Sequence, residues 1–135
     1  MTDNIFLNMT ERHSSLWSED QLLAARRIAP TIVNVLFPTV PHQTIDWQIS
    51  QMADRIFADL HTRDSGDFWK RIKGVAVQGE HTLTAVLVRR FQEYRITCYA
   101  AAYERILERN EQGKYITTFR FFQFRPYPSL IGNRY

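Results

Sequence analysis

The sequence predicts an α+β fold, in which two N-terminal helices pack on a curved antiparallel meander of about four strands. Three observations support this prediction. Apolar residues follow helical spacing over two stretches in the first half of the chain. β-branched and aromatic residues dominate from Trp69 to Tyr127. Glycine and asparagine stand where turns between the expected strands are needed.

The composition is that of one globular domain. The chain has 135 residues, of which 44% are hydrophobic and 23% are charged, so it is long enough to bury a core. We therefore expect a single domain over residues 1–135. Residues 1–14 show no clear period and are expected to form a poorly defined terminus, and residues 128–135 form a short tail.

The first helix has a strong start signal. Ser18 is a favourable N-cap, Gln21 occupies the third helical position, and two acidic residues follow the cap. The apolar face continues to Leu36, and Pro30 is expected to kink the helix or split it.

The second helix is expected from about Thr44 to His61. Thr44 is a suitable cap, and the apolar residues that follow it recur at helical spacing. The segment 62–67 has the composition of a loop.

The segment after Trp69 has two interpretations. The first makes four strands at about 70–78, 82–91, 94–108 and 114–125, because β-branched residues are frequent there. The alternative is a mostly α fold in which residues 81–111 form one long helix, since several apolar residues also fall near helical spacing. We favour the strands, and expect residues 99–109 to be the part most open to a helical outcome.

Two helices followed by a long meander resemble the α+β cone of the nuclear transport factor 2-like family. The resemblance covers residues 18–126 and rests on element order. It implies a cavity on the concave face of the sheet, where enzymes of that family place an acid and a Tyr or His. The polar residues expected to line such a cavity are Arg95, Thr97, Tyr99 and Tyr103 from one strand and Asp46 from the second helix.

No motif fixes a reaction. The four histidines are dispersed without metal-ligand spacing, and no glycine-rich phosphate loop is present. Cys98 has apolar neighbours and is expected to be a buried, inert thiol. We therefore predict no catalytic residue, no metal and no cofactor, and we favour a non-enzyme while leaving the enzymatic cone open.

Charge and cysteine content indicate the environment. The net charge is +3, and fourteen of the seventeen basic residues are arginine, which favours contact surfaces. A single cysteine fits a reducing compartment, and neither a signal peptide nor a membrane-spanning run is recognisable. The expected localisation is cytoplasmic, without membrane contact.

The expected functional surface lies on the last strand. Phe121 and Phe122 are adjacent, so a regular strand sends them to opposite faces, one of which needs a cover. The predicted interaction residues are Arg120, Phe122, Phe124, Arg125 and Tyr127. We predict a small binding domain that acts through protein–protein contacts, as a homodimer or an accessory subunit. The first alternative is the ligand-binding or enzymatic cone. The second is a nucleic-acid-binding accessory protein, because arginines alternate with aromatic residues.

Overall fold

The chain is built around β1 (Ile5–Thr10), a strand whose six side chains are all buried. Its side chains alternate between two hydrophobic clusters. Ile5, Leu7 and Met9 belong to one cluster, and Phe6 belongs to the other. A strand that is buried on both faces has a nearly continuous apolar sequence. Such strands are typical of parallel sheets that helices cover on both faces.

A computed structural model describes residues 3–131. After β1 the elements are α1 (Glu19–Ile28), β2 (Thr31–Asn34), α2 (Asp46–Thr62), α3 (Asp67–Arg71), β3 (Ile72–Gln78), α4 (His81–Glu93), β4 (Thr97–Arg109) and β5 (Tyr115–Pro126), with short 3-10 helices at Ser14–Leu16 and Arg63–Gly66. Within the described residues, no helix combines the length and the apolar character needed to cross a bilayer.

The strands form one five-stranded mixed sheet in the order β2-β1-β3-β4-β5. The first four strands are parallel, and β5 runs antiparallel to β4. Helix α1 packs on one face with Phe6, whereas α2 and α4 pack on the opposite face with the larger cluster. The order 2-1-3-4-5, with helices on both faces, is that of a doubly wound α/β sheet.

This topology corrects the predicted fold class. The sheet is mixed rather than an antiparallel meander, and the helices alternate with the strands instead of preceding them. The alternative of one helix over residues 81–111 is also wrong, because α4 ends at Glu93 and β4 follows. The layout on which the resemblance to the nuclear transport factor 2-like family rested is therefore not the observed one, and the resemblance itself stays a prediction.

Two further expectations concern the ends of the chain. Residues 5–10, within the segment expected to be a poorly defined terminus, form an interior strand of the sheet, between β2 and β3. A strand buried on both faces shows no polar–apolar alternation, so the short apolar run from Ile5 to Leu7 is its main sequence signal. The tail expected at 128–135 extends beyond the described residues at 132–135, about which no structural statement follows.

Helix α4 explains why the strand interpretation failed between 81 and 93. The Glu80 carboxylate accepts hydrogen bonds from the backbone N–H groups of Thr82 and Leu83, which caps the helix. Leu83, Leu87, Val88 and Phe91 are buried along one side of the helix. Burial of this stripe outweighs the weak preference of the β-branched residues for strands.

The end of α4 is a Schellman motif. The N–H of Ile96 donates to the carbonyl of Phe91, and the N–H of Arg95 donates to the carbonyl of Gln92. Arg95 has a φ of 62°, a conformation that glycine usually supplies. Arg95 therefore has a structural position at a helix end, and the chain turns there into β4.

The two N-terminal helix predictions have different outcomes. The Ser18 hydroxyl accepts a hydrogen bond from the N–H of Gln21 at 3.2 Å, so α1 begins where the cap predicted. It ends at Ile28, and the residues after Pro30 form β2 rather than a continued helix. Helix α2 lies close to its predicted range.

Candidate functional site

A buried polar network holds the loop after β1 in place. Asn8 is fully buried, and its Nδ2 donates to the carbonyl of Arg12 at 2.9 Å and to Oδ1 of Asn34 at 2.7 Å. The Asn8 Oδ1 accepts from the hydroxyl of Thr10 at 2.7 Å. Asn34 in turn accepts from the backbone N–H of Ser14. This network joins β1 and β2 to the loop and fixes the course of residues 10–14.

The loop forms one side of a cleft at the carboxyl ends of β1 and β3. The chain passes from β1 through α1, on one face of the sheet, to β2, and then through α2, on the opposite face, to β3. The winding therefore reverses between the carboxyl ends of β1 and β3. Ligands of doubly wound proteins bind at that point. The cleft has a volume of ≈ 480 Å³, and its lining consists of Thr10, Glu11, Arg12, Trp17, Gln21, Gln78, Gly79, Ala101, Tyr103 and Phe119.

Two glutamines form the inner part of this cleft. Gln21 is 3% exposed, and its Oε1 accepts a hydrogen bond from the Tyr103 hydroxyl at 3.1 Å. The Gln78 amide pairs with the backbone of Ala101, accepting from its N–H at 2.8 Å and donating to its carbonyl. Gln78 therefore has both of its groups engaged, whereas the Gln21 Nε2 donates to no protein acceptor in the described part of the chain.

The helix N-termini at this edge do not supply a phosphate cradle. Ser18 caps α1, whose first turn is acidic, and the Glu80 carboxylate occupies the first turn of α4. The Thr82 hydroxyl, which donates to Glu80, lowers the pKa of that carboxyl, and the backbone N–H groups of Thr82 and Leu83 act in the same direction. Because acidic groups already stand at both helix ends, an anion at this edge must be held by side chains.

The second candidate surface is the outer arm, which we define as residues 104–109 of β4 and 115–120 of β5. All six β5 residues of the outer arm are exposed. One face carries Leu107, Tyr115 and Phe119, with exposures of 61%, 67% and 68%. The Asn110 side chain accepts hydrogen bonds from the N–H groups of Gln112 and Lys114, and Gly113 adopts a φ of 77° in the connecting turn.

A bulge near the base of the arm corrects the prediction for Phe121 and Phe122. Ala102 pairs with Gln123 and Tyr103 pairs with Phe121, so Phe122 is the extra residue. Phe121 and Phe122 both line a shallow depression against α1, on the same side of the sheet. The rule that adjacent residues face opposite sides holds for a regular strand, and the bulge interrupts that regularity.

The residues predicted to line a cavity do not come together. Tyr99 packs with Phe6 and Phe124, at ring-centroid distances of 6.1 and 6.3 Å. Arg95 and Thr97 border a separate depression near the chain end, whereas Asp46 begins α2, where its carboxylate accepts from the N–H of Trp47. Tyr103 is the one member of the predicted set that lines the cleft.

The predicted interaction residues divide between surface and core. Phe122 is 64% exposed, Arg125 is exposed, and Arg120 pairs with Glu104 at 2.6 Å on the outer arm. Phe124 is 9% exposed and belongs to the core beneath α1. Tyr127 is half-buried, and its hydroxyl donates to the carbonyl of Val77 at 2.7 Å.

Among residues 3–131, the buried thiol of Cys98 has only backbone carbonyls, those of Val88 and Ile96, as hydrogen-bond partners. Burial raises the pKa of Cys98 to about 12, which keeps the thiol protonated at neutral pH. Burial also raises the pKa of Tyr99 and of Tyr127, with Cys98 as a second cause. Between residues 3 and 131, no group of three or more His, Cys, Asp or Glu side chains is placed to hold a metal ion.

The sequence interpretation missed most of the cleft. Thr10 and Arg12 lie within residues 1–14, which show no clear period. Trp17 belongs to no motif, and Gln21 fits the capping pattern of α1. The available signal was a short apolar run, Ile5 to Leu7, followed by polar residues and then a helix start. Such a pattern marks the carboxyl end of a strand in a βα unit.

Comparison with known proteins gives one match. The family model of the Uncharacterized protein MJ1673 family matches residues 4–126. Comparison with curated proteins and with solved structures gives no match. The matched range runs from β1 to the end of β5 and includes both the cleft and the outer arm.

Proposed function

We propose that this chain, which belongs to the Uncharacterized protein MJ1673 family, is a small non-enzymatic binding domain that assembles as a homodimer through its outer arm. The observation that carries the proposal is the free edge of β5, a strand that pairs with β4 and is the last in the sheet order. In the proposed dimer, this edge pairs antiparallel with the same edge of a second copy.

The free edge has donors that point outward. The N–H of Asn110 donates to the carbonyl of Lys114 at 2.8 Å, which makes these two residues a hydrogen-bonded pair of the ladder. Pairs alternate along an antiparallel ladder, so the pairs that contain Tyr115, Thr117 and Phe119 are non-hydrogen-bonded. Their backbone N–H and carbonyl groups therefore face away from β4, and they are available to a further strand.

The outer arm needs additional support. A two-stranded hairpin on its own is marginally stable in water, whereas three or more strands with an apolar face are stable. Pairing of two β5 edges produces a four-stranded ribbon. The exposed side chains of Leu107, Tyr115 and Phe119 from both copies then lie on one continuous surface.

A second copy fits this edge better than an unrelated strand for two reasons. An antiparallel edge presents the same pattern of donors and acceptors after a twofold rotation, so it is complementary to itself. Arg120, near the middle of the edge, is neutralised by Glu104 of its own chain at 2.6 Å, so the contact does not bring two unpaired Arg120 charges together. The outer arm of β5 also lacks the proline or bulge that usually protects an exposed edge.

The cytoplasm is the proposed compartment. It is supported by the single cysteine of the sequence, which is buried and forms no disulfide.

The experiment measures mass in solution by light scattering after size-exclusion chromatography. Thr117→Pro removes an outward N–H and leaves the hydrogen bonds to β4 intact, because proline is tolerated at a strand edge. The matched control, Thr117→Ala, keeps the N–H. We expect twice the monomer mass for the natural chain and the Ala variant, and the monomer mass for the Pro variant. A monomeric natural chain at 100 µM, or a dimeric Pro variant with a native circular dichroism spectrum, would overturn the proposal.

A further inference from the structure

We propose that the cleft between the carboxyl ends of β1 and β3 binds a nucleotide, with the base inside and the phosphate at the rim. The cleft has a volume of ≈ 480 Å³, which lies within the range of small-molecule sites. Its place at the reversal of the winding is where doubly wound sheets bind ligands. This inference goes beyond the proposed dimer, with which it shares the exposed side chain of Phe119.

The strongest observation is the Gln21 amide. Gln21 is 3% exposed and lines the cleft, and its Oε1 accepts a hydrogen bond from the Tyr103 hydroxyl. Its Nε2 has no acceptor in the protein among residues 3–131. The Nε2 is not a fully buried atom, so solvent reaches it in the cleft, and a ligand acceptor can replace the water bound there. A ring nitrogen or carbonyl oxygen of a base is an acceptor of the required kind.

The walls of the cleft suit a planar ring. Trp17 and Phe119 both belong to the lining, one almost buried and the other 68% exposed. Aromatic side chains bind bases by stacking, and any base presents a suitable face. Ala101, which also belongs to the lining, has a small side chain that occupies little of the cleft.

The charge at the rim defines where the phosphate lies. Arg12 is exposed and donates one N–H to the carbonyl of Leu16 at 2.9 Å, so its other donors remain available. Arg105 pairs with Phe119 across the ladder and therefore lies on the same face of the arm. Glu11 is the acid of the lining and offsets one of the two positive charges. Because the helix N-termini nearby are capped by the chain itself, the phosphate depends on these arginine side chains.

The bound nucleotide has two possible sources: it is either a free nucleotide or an unpaired nucleotide of a single-stranded nucleic acid. The experiment uses isothermal titration calorimetry with the four ribonucleoside monophosphates, the matching nucleosides, inorganic phosphate and a single-stranded RNA tetranucleotide. We expect at least one monophosphate to bind, its nucleoside to bind more weakly, and inorganic phosphate alone not to bind. Binding of the tetranucleotide alone, abolished by the same variants, supports the site and assigns the source to a strand.

Three variants test the assigned roles. Gln21→Leu should weaken both the nucleotide and the nucleoside by about tenfold, since one hydrogen bond to a buried donor is lost. Phe119→Ala, at an exposed position that does not threaten folding, should weaken both by about fivefold or more. Arg12→Gln should weaken the nucleotide alone and leave the nucleoside unaffected.

Two controls separate this site from the dimer. Arg26→Gln removes an equal charge from the outer side of α1, away from the cleft, and should bind as the natural chain does. The Thr117→Pro variant should still bind when it is monomeric, so failure of the dimer leaves this test intact. Absence of binding by every nucleotide at millimolar concentration would overturn the inference. So would binding that Gln21→Leu and Phe119→Ala, both shown to be folded, leave unchanged.

Discussion

The two ends of the β4–β5 hairpin lie in opposite environments. At the base, Cys98, Ala101 and Phe124 are each no more than 9% exposed, and they contact the helices on both faces of the sheet. In the outer arm, Tyr115 and Phe119 are about as apolar in character and are 67% and 68% exposed. The same pair of strands is thus a core element at one end and an uncovered surface at the other.

The two environments show that the residues that favour a strand are not sufficient to stabilise it. β-branched and aromatic residues predict a strand along the whole of β5, because they fit a pleated surface. Burial of apolar surface, which is the dominant favourable contribution to folding, depends on the helices that cover the base. The outer arm therefore derives its stability from the base and, in our proposal, from a second copy.

The largest expected effect is a loss of stability at the base of the hairpin, compared with the loss from a matched substitution in the outer arm. We expect Phe124→Ala to lower the free energy of unfolding by about 3–4 kcal/mol, because it leaves a cavity between Phe6 and Trp17, whose rings lie 5.0 and 5.7 Å from that of Phe124. Phe119→Ala should change the same quantity by less than about 0.5 kcal/mol. Urea denaturation of both variants in the monomeric Thr117→Pro background measures the comparison without a contribution from association. Equal losses in the two variants would show that the outer arm is covered within a single chain.

A smaller effect concerns the buried thiol at the base. Burial raises the pKa of Cys98 to about 12 in the folded chain, whereas a thiol in an unfolded chain titrates near 8.5. Between these values the unfolded chain has lost a proton that the folded chain retains. Stability is therefore fully present below about pH 8.5 and falls above it, by up to about 1.4 kcal/mol per pH unit.

Urea denaturation at pH 8, 9 and 10 measures this loss. Cys98→Ala is the control, because it lacks the thiol and should lose less stability over the same range. Burial also raises the pKa values of Tyr99 and Tyr127 in both chains, and the smaller part of those shifts that Cys98 causes is lost in the Ala variant together with the thiol. An identical decrease in the two chains would mean that the base of β4 is open to solvent.

The smallest expected effect lies on the outer arm. Arg120 and Glu104 form an ion pair at 2.6 Å, with side chains that are 64% and 42% exposed. We expect Glu104→Gln to lower the free energy of unfolding of the monomer by about 0.5 kcal/mol or less. In the proposed dimer the same change leaves Arg120 unneutralised at the shared edge, so the dissociation constant should rise, as measured by analytical ultracentrifugation. A loss of several kcal/mol in the monomer would contradict the picture of an exposed arm.

Local signals predicted several elements correctly. The cap at Ser18 marked the start of α1, helical spacing identified α2, and Asn110 with Gly113 located the turn between β4 and β5. Each of these features depends on residues a few positions apart, so the sequence contains the necessary information.

The remaining predictions were wrong because the structure of those segments depends on packing against distant parts of the chain. Residues 81–93 contain many β-branched side chains but form a helix, because Leu83, Leu87 and Phe91 are buried against the sheet. The short segment Ile5–Thr10 is an interior strand because it pairs with β2 on one side and β3 on the other. Sequence periodicity does not report which strands will be neighbours.

The sequence by itself determined the cap of α1, the length of α2 and the strand character of the hairpin. Only the tertiary structure decided that the strands are parallel and that Gln21, Arg12 and Tyr103 meet at one cleft. It also decided that Phe124 is core while Phe119 is surface. The physical reason is that propensities and caps are local interactions, whereas burial depends on which distant segments come together to exclude water.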